Sequence, residues 1–438
     1  MTKLASFKKK VKNRQAHVAV IGLGYVGLPL AVGFARAGFK VTGVDVSAER
    51  VQDVNSGNPF IADVNEEEMK PLVDEGRLRA TTDFGVLEAA DAVSICVPTP
   101  LRKTKDPDIS HVLKAVREVR RYLHPGMLVV LESTTYPGTT TEVLQPEFEE
   151  GGLKAGKDFF LAFSPERVDP GNTEFKTHNT PKIIGGTSRS CMSAARALYQ
   201  AVVEKIVEVS SPQAAEMVKL LENTFRSVNI GLVNEFALIC NRLGLDAWEI
   251  IDAAATKPFG FMPFYPGPGL GGHCIPVDPL YLSWKLRGLN FNARFIELAS
   301  EINAGMPEVV VGRITEALNQ RKKALREAHI HILGVAYKRD VADTRESPAI
   351  DIMDLLRLKG AILSYSDPLV PRLRLGTALL RSEDPAPAVL RKKAAVVVLT
   401  DHSAFDYRRI VSASRMVIDT RNATGRAGVR DSKKIIKL

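Results

Sequence analysis

Cys274 has the surroundings that point most directly to chemistry in this 438-residue sequence. It ends the run Gly271-Gly272-His273-Cys274, and Asp278 follows four residues later. Residues 259–270 upstream read Phe-Gly-Phe-Met-Pro-Phe-Tyr-Pro-Gly-Pro-Gly-Leu. So much glycine and proline marks a loop whose backbone approaches something closely. An arbitrary cysteine is often a small packed apolar residue. After a glycine loop, with a carboxylate four residues on, Cys274 reads instead as a nucleophile, with the thiolate as its reactive form. His273 keeps two readings, contact with a ligand or a hydrogen bond that fixes the loop.

Lys219 and Asn223 lie one helical turn apart and so share a face. A pair like this is usually solvated. Here the neighbours Met217, Val218, Leu220, Leu221 and Phe225 are apolar on more than one face, which turns Lys219 inward. A cation beside an amide donor suits a developing oxyanion, where one lost donor costs on the order of a hundredfold in rate.

The third constellation is Gly22-Leu23-Gly24-Tyr25-Val26-Gly27, with Asp45 twenty-three residues after Gly22. It follows an apolar strand and opens a helix, the context a dinucleotide site demands. Gly22 permits the turn, Gly24 lets the backbone reach a pyrophosphate, and Gly27 allows helix and strand to pack. The helix N-terminus offers amides to the anion. Asp45 at the next strand end accepts ribose hydroxyls and repels a 2′-phosphate, so NAD is expected rather than NADP.

These residues need elements to carry them. Apolar runs at residues 17–21, 40–44, 92–97, 127–131 and 159–163, separated by helical stretches such as 109–122, predict a doubly wound α/β domain. Ser211 caps a helix that starts at Pro212 and ends before Gly244. The α/β texture returns near residue 328, with strands at 329–335, 361–365, 394–399 and 415–419 and a helix at 348–358. The expected fold is therefore α/β, two Rossmann-like doubly wound domains joined by a long central helix and a helical middle domain. The expected boundaries are 1–210, 211–315 and 316–438.

Composition narrows the classes. Hydrophobic residues make up 45% and charged residues 25%, as in an ordinary globular protein. No apolar run spans a bilayer, so no membrane role is expected. The basic start, with Lys8, Lys9, Lys10 and Lys12, is taken as a solvated arm rather than an address. Net charge is +9, yet no zinc-finger spacing, RRM motif or basic aromatic strip accompanies it, so nucleic acid is not expected as a partner. The four cysteines form no C-x-x-C pair and no zinc-type cluster, which argues against a metal site and for a cytoplasmic compartment.

With these motifs stand Val97-Pro98-Thr99-Pro100, Ser133-Thr134, Ser164-Pro165-Glu166-Arg167, and Lys338 with Thr344-Arg345-Glu346-Ser347. Together and in this order they resemble the UDP-glucose/GDP-mannose dehydrogenase family over nearly the whole chain. The resemblance implies a four-electron oxidation of a UDP-sugar at C6 with two NAD, through a thiohemiacetal and a thioester on Cys274. It implies that Lys219 and Asn223 hold the oxyanion and that Asp278, Glu166 and Thr134 position or activate water. By the same resemblance, cofactor contacts fall to Gly22, Gly24, Tyr25, Val26, Gly27, Asp45, Arg50, Pro98, Thr99, Thr134 and Arg345. Substrate contacts fall to Glu166, Arg167, Lys219, Asn223, Tyr265, Gly267, Gly269, Gly271 and Lys338.

The surround of Cys274 departs from the Phe-Pro-Lys-Asp continuation of UDP-glucose enzymes and is similar to the branch acting on UDP-N-acetylhexosamines. UDP-N-acetylglucosamine is the expected substrate, with UDP-glucose, UDP-N-acetylgalactosamine and UDP-N-acetylmannosamine as alternatives. A two-electron hydroxy-acid dehydrogenase has no use for Cys274. A non-catalytic NAD- or nucleotide-sugar-binding protein is the reading from a different class. An apolar face on the long helix, together with the resemblance, implies a homodimer or higher homo-oligomer.

Overall fold

The computed structural model describes residues 2–438 except 62, 103, 170, 171, 173, 431 and 432. The chain divides into two compact units, Met1–Glu222 with Leu280–Phe291, and Asn223–Pro279 with Asn292–Leu438.

In the first unit, eight strands among the described residues form one sheet. They are β1 (His17–Ile21), β2 (Lys40–Val44), β3 (Leu78–Thr81), β4 (Ala92–Ile95), β5 (Leu128–Leu131), β6 (Phe160–Phe163), β7 (Lys182–Gly186) and β8 (Ile206–Val209). Their order is β3-β2-β1-β4-β5-β6-β7-β8, parallel throughout except between β6 and β7. The central strands β4, β5 and β6 are buried along their whole length, which is why they read as continuous apolar runs. Two apolar clusters cover the two faces of the sheet, one built on Val18, Val20, Phe34 and Phe160, the other on Ala19, Ile95, Val116 and Leu131.

The basic start is not a solvated arm, as expected from its lysines, but a helix, Lys3–Lys12. Phe7 and Val11, one turn apart, are buried in the core, and the Phe7 ring lies 6.1 Å from that of Phe160. Thr2 caps the first turn by accepting from the Ala5 amide, and Lys9, Lys10 and Lys12 crowd the last turn, where the helix dipole favours cations.

In the second unit, β9 (His329–Leu333), β10 (Ile362–Ser366), β13 (Ala395–Val398), β14 (Val417–Asp419) and β15 (Ile435–Lys437) form a parallel sheet in the order β10-β9-β13-β14-β15. A hairpin of β11 (Arg372–Leu375) and β12 (Ala378–Arg381) stands apart from it. Two long helices precede the sheet, Pro212–Leu243, which contributes its residues from Asn223 onward, and Arg294–Gln320. They pack so closely that a Cβ on Gly231 would lie 3.2 Å from the Cα of Ala299. Asn234 donates to Asn303 at 2.8 Å, and Asn303 donates to the Ser227 carbonyl at 3.1 Å. Those buried amides fix the register of the pair, because an unmatched one would carry its full desolvation penalty. The architecture is thus the α/β, Rossmann-like one with a helical middle that the sequence predicts.

Both sheets close their first crossover in the same way. Gly22 after β1 and Gly334 after β9 have φ of +89° and +78°. Gly22 donates to the Val44 carbonyl at 2.7 Å and Gly334 to that of Ser366 at 2.9 Å. The next amide is received by a carboxylate at the end of the neighbouring strand, Leu23 by Asp45 and Val335 by Asp367, each at 2.8 Å. A side chain at Gly334 would strike the Thr400 carbonyl oxygen. Gly334→Ala is therefore expected to destabilise the protein by about 2 kcal/mol or more, from strain and overpacking together. Gly305→Ala, where nothing lies within 4 Å of the added carbon, is expected to be neutral or mildly stabilising. Denaturant midpoints of the two variants compared with the parent check both.

Candidate functional site

The glycine turn of the first unit fits a dinucleotide on its own geometry. A Cβ on Gly22 would stand 2.5 Å from the Cys96 carbonyl oxygen, and one on Gly27 would collide with the Gly22 carbonyl. At Gly24 nothing lies within 4 Å, so the backbone there is bare on the side where a pyrophosphate would approach. Tyr25 is exposed and Val26 half-buried at the entrance to helix Gly27–Arg36. Asp45 is buried and accepts from the amides of Leu23 at 2.8 Å and Ser47 at 2.9 Å, so it braces the turn. Arg50, stacked over the Phe60 ring at 5.8 Å, lies 3.6 Å from Asp45. An arginine in such a place can accommodate a 2′-phosphate, but here its charge is already partnered. Pro98 is exposed and Thr99 buried just beyond β4, where the Thr99 carbonyl accepts from the Tyr281 hydroxyl at 2.9 Å.

Thr134, Glu166 and Lys219 are all half-buried and belong to this same unit. One carboxylate oxygen of Glu166 accepts from the amides of Arg167 and Val168, both at 2.8 Å. Burial pushes the Glu166 carboxyl up, but Lys182, those two amides and Lys219 outweigh it and hold the group below the usual carboxylate range. Arg167 is engaged within the chain. Its Nε and Nη2 donate to Glu222 at 2.9 and 2.6 Å, and its Nη1 to the Pro181 carbonyl at 2.7 Å.

In the second unit, Cys274 is exposed on its loop. The Cys274 carbonyl accepts from the amides of Val277 at 3.1 Å and Asp278 at 2.8 Å, a turn that leads into helix Asp278–Arg287. Asp278 and Asn223 are both buried, and the Asn223 amide donates to the Asp278 carboxylate at 2.5 Å. Two residues singled out for separate tasks are thus bonded to each other.

The close approach inferred for the glycine loop has its partner inside the same unit. A Cβ on Gly271 would stand 2.7 Å from the Tyr337 Cβ, one on Gly272 2.7 Å from the Tyr337 ring, and one on Gly269 3.1 Å from the Pro348 Cβ. Gly272 also donates to the Arg345 carbonyl at 3.2 Å, and Gly267 donates to Asn234 at 2.9 Å. The segment 337–348 carries half-buried Lys338 and also Arg345, whose guanidinium is bonded to Asp343 at 2.7 Å. His273 is half-buried. Burial, then the Arg345 charge, holds its imidazole below the ordinary histidine value, so it is neutral at neutral pH. Tyr265 is exposed and donates to Asp252 at 2.8 Å.

Sequence reasoning did not single out Arg421. It follows β14, donates through Nε to the Leu399 carbonyl at 3.0 Å, and has a guanidinium nitrogen 2.7 Å from where a Gly267 side chain would begin. Its signal was available, since an arginine directly after a strand-end Asp-Thr is a cation delivered to the carboxyl edge of a parallel sheet. Among the described residues no group of His, Cys, Asp and Glu is arranged to hold a metal ion, and no helix is long and apolar enough to cross a membrane.

Comparison with known proteins adds independent findings. Residues 16–203 match the NAD binding domain of the UDP-glucose/GDP-mannose dehydrogenase family, residues 213–305 its central domain, and residues 331–426 its UDP binding domain. A UDP-N-acetyl-D-mannosamine dehydrogenase of Pyrococcus horikoshii is 37% identical over 411 residues, covering 92% of this chain and 95% of that protein. A UDP-N-acetyl-D-glucosamine 6-dehydrogenase of Pseudomonas aeruginosa is 35% identical over 355 residues, covering 81% and 83%. The solved structure of a UDP-D-ManNAc dehydrogenase from Pyrococcus horikoshii superposes with a TM-score of 0.87 at 35% identity, over 96% of this chain and 99% of that one.

The position of Asp45 yields a test. Asp45→Asn keeps a side-chain acceptor for the turn but removes the charge that partners Arg50 and repels a phosphate. The ratio of kcat/KM for NAD to that for NADP is expected to fall at least about tenfold, the effect of some 1.4 kcal/mol at the ribose. A ratio unmoved by the substitution would show that Asp45 does not select the cofactor.

Proposed function

The chain belongs to the UDP-glucose/GDP-mannose dehydrogenase family and is an NAD-dependent oxidoreductase of nucleotide sugars; from that premise we propose that it oxidises C6 of a UDP-N-acetylhexosamine from alcohol to carboxylate, with Cys274 as covalent nucleophile. The observation that carries the reading is the exposed thiol, on a loop whose backbone is folded onto Asp278, beside the Asn223–Asp278 pair.

When bound, NAD supplies the hydride acceptor for both oxidations. The first removes a hydride from C6 and a proton from its hydroxyl, leaving an aldehyde. The Cys274 thiolate then forms a bond to the aldehyde carbon, and the carbonyl oxygen takes the negative charge. Asn223 and Lys219 are assigned to that oxyanion, an amide and a cation where charge develops. Loss of the second hydride restores the carbonyl as a thioester. Water then adds, the C–S bond breaks, and the acid leaves with the thiolate regenerated. Glu166, held ionised, is suited to take the proton of that water, with Thr134 and Asp278 positioning it. Lys338, Gly267, Gly269, Gly271 and Tyr265 are assigned to the nucleotide sugar, and Arg345 to the cofactor.

The acetamido sugar is supported by the loop around Cys274, which favours the gluco epimer. The relative from Pyrococcus horikoshii supports the manno epimer as a second reading. The division at residues 210 and 315 remains our reading of the domain boundaries. A homodimer is supported by the exposed apolar residues Leu221, Phe225, Leu232, Phe236, Ile239 and Leu243 on helix Pro212–Leu243. The sparse, unclustered cysteines support a cytoplasmic location.

Two experiments test the reading. With UDP-N-acetylglucosamine, UDP-N-acetylmannosamine, UDP-N-acetylgalactosamine and UDP-glucose assayed side by side, an acetamido sugar is expected to show the highest kcat/KM, at least about tenfold above UDP-glucose, since a pocket built for the amide leaves polar groups unpaired around a hydroxyl. A higher value for UDP-glucose would overturn the substrate class. Cys274→Ala is expected to bind NAD and UDP-sugar nearly as the parent does and to form sugar acid more than about a thousandfold more slowly. Undiminished turnover would make the thiol a bystander.

A further inference from the structure

Three charged side chains of the first unit meet at the carboxyl end of its sheet. Lys182, the first residue of β7, is 4% exposed, and its ammonium lies 2.6 Å from Glu132 and 3.4 Å from Glu166. Glu132 directly follows β5, and its side chain is wholly buried. Its second oxygen accepts from the Tyr199 hydroxyl, which also lies 3.4 Å from the Ser94 hydroxyl. An ion pair this deep is weak evidence of a stabilising role, because desolvation offsets much of its attraction and apolar residues of similar size often do as well or better. The arrangement calls for another reason.

Glu166 provides it. One of its oxygens is occupied by the two amides of its own loop, which sets the plane of the carboxylate, and the other is the oxygen that faces Lys182. We propose that Lys182 is a positioning residue, whose ammonium, pinned from behind by Glu132, fixes the orientation of the Glu166 carboxylate and keeps it ionised for its work on water. This rests on the assignment of Glu166 made above. The other groups that face Glu166 are Glu132 behind the ammonium, Lys219 on the long helix, and the buried Cys96 thiol. Burial drives the Cys96 thiol up, with Glu132 adding to it, so it stays neutral. Burial would lower Lys182, but Glu132 and Glu166 hold it up, so it stays charged.

A cation that holds the carboxyl of Glu166 down keeps it ionised to lower pH, so the acid limb of the hydrolytic step lies low in the parent. Sugar-acid release is measured in single turnovers from about pH 3 to 8, a range that brackets an acid limb lying below the usual carboxylate range, where a general base reports its ionisation. Glu166→Gln is expected to abolish the limb. Lys182→Met combined with Glu132→Gln removes the cation without stranding a buried carboxylate. It is expected to move the limb up by roughly one unit, so that the loss is about tenfold at low pH and shrinks as pH rises. Glu132→Gln alone leaves Lys182 with Glu166 as its remaining carboxylate and is expected to move the limb down. Lys182→Arg, which keeps the charge, is expected to leave it near the parent position.

A limb that survives in Glu166→Gln would remove the assignment of Glu166 and this inference with it. A limb abolished by Glu166→Gln but unmoved by the Lys182 and Glu132 substitutions, with a loss uniform across pH, would overturn the inference alone. If circular dichroism shows the double variant unfolded, the downward shift in Glu132→Gln decides, and a stationary limb there overturns the proposal.

Discussion

At the end of each first strand, the backbone turns through a glycine with positive φ and hands its next amide to a carboxylate on the neighbouring strand. Asp45 and Asp367 serve the two sheets in the same way. The constraint is geometric before it is chemical. Parallel strands end with their amides and carbonyls unmatched, and a turn tight enough to start a helix at once leaves donors that side chains or ligands must receive. Where the backbone is left bare, as at Gly24, those donors are available to an anion. The crossover, the helix it opens and the bare backbone at Gly24 all follow from that one turn.

The two units use the carboxylate differently. Asp45 receives two amides, from Leu23 and Ser47, and stands beside Arg50. Asp367 receives the amides of Val335, Ala336, Leu369 and Val370, and the His402 imidazole as well, at 3.0 Å. Burial acts against ionisation of Asp367, and His402 with those amides outweighs it, so the group is held below the usual carboxylate range. A carboxylate with its lone pairs this fully taken is a structural brace, whereas Asp45 retains capacity for a ligand.

Much of the fold was legible because parallel strands buried on both faces are unbroken apolar runs and because the helices announce their ends. β1 and β2 and the helices Pro212–Leu243 and Pro348–Leu358 lie where periodicity and caps put them, with Ser211 receiving the Ala214 amide. β3, β7 and β8 escaped notice, since Leu-Arg-Ala-Thr, Lys-Ile-Ile-Gly-Gly and Ile-Val-Glu-Val mix charge or glycine into short segments. The N-terminal helix was hidden by its lysines, although Phe7 and Val11 carry its spacing. In the site, motifs contiguous in sequence were visible, and pairings across the chain were not. Asn223 meets Asp278 across 55 positions and Lys182 meets Glu132 across 50, separations that only the packed structure brings to contact.

The glycines before Cys274 have a mechanical meaning. Gly269, Gly271 and Gly272 press without side chains against Tyr337 and Pro348, and Gly272 is tied to the Arg345 carbonyl. No flexible side chain intervenes to absorb a displacement. The thiol loop and the segment bearing Lys338 therefore meet with no room between them, and any side chain added at 271 or 272 would have to displace Tyr337.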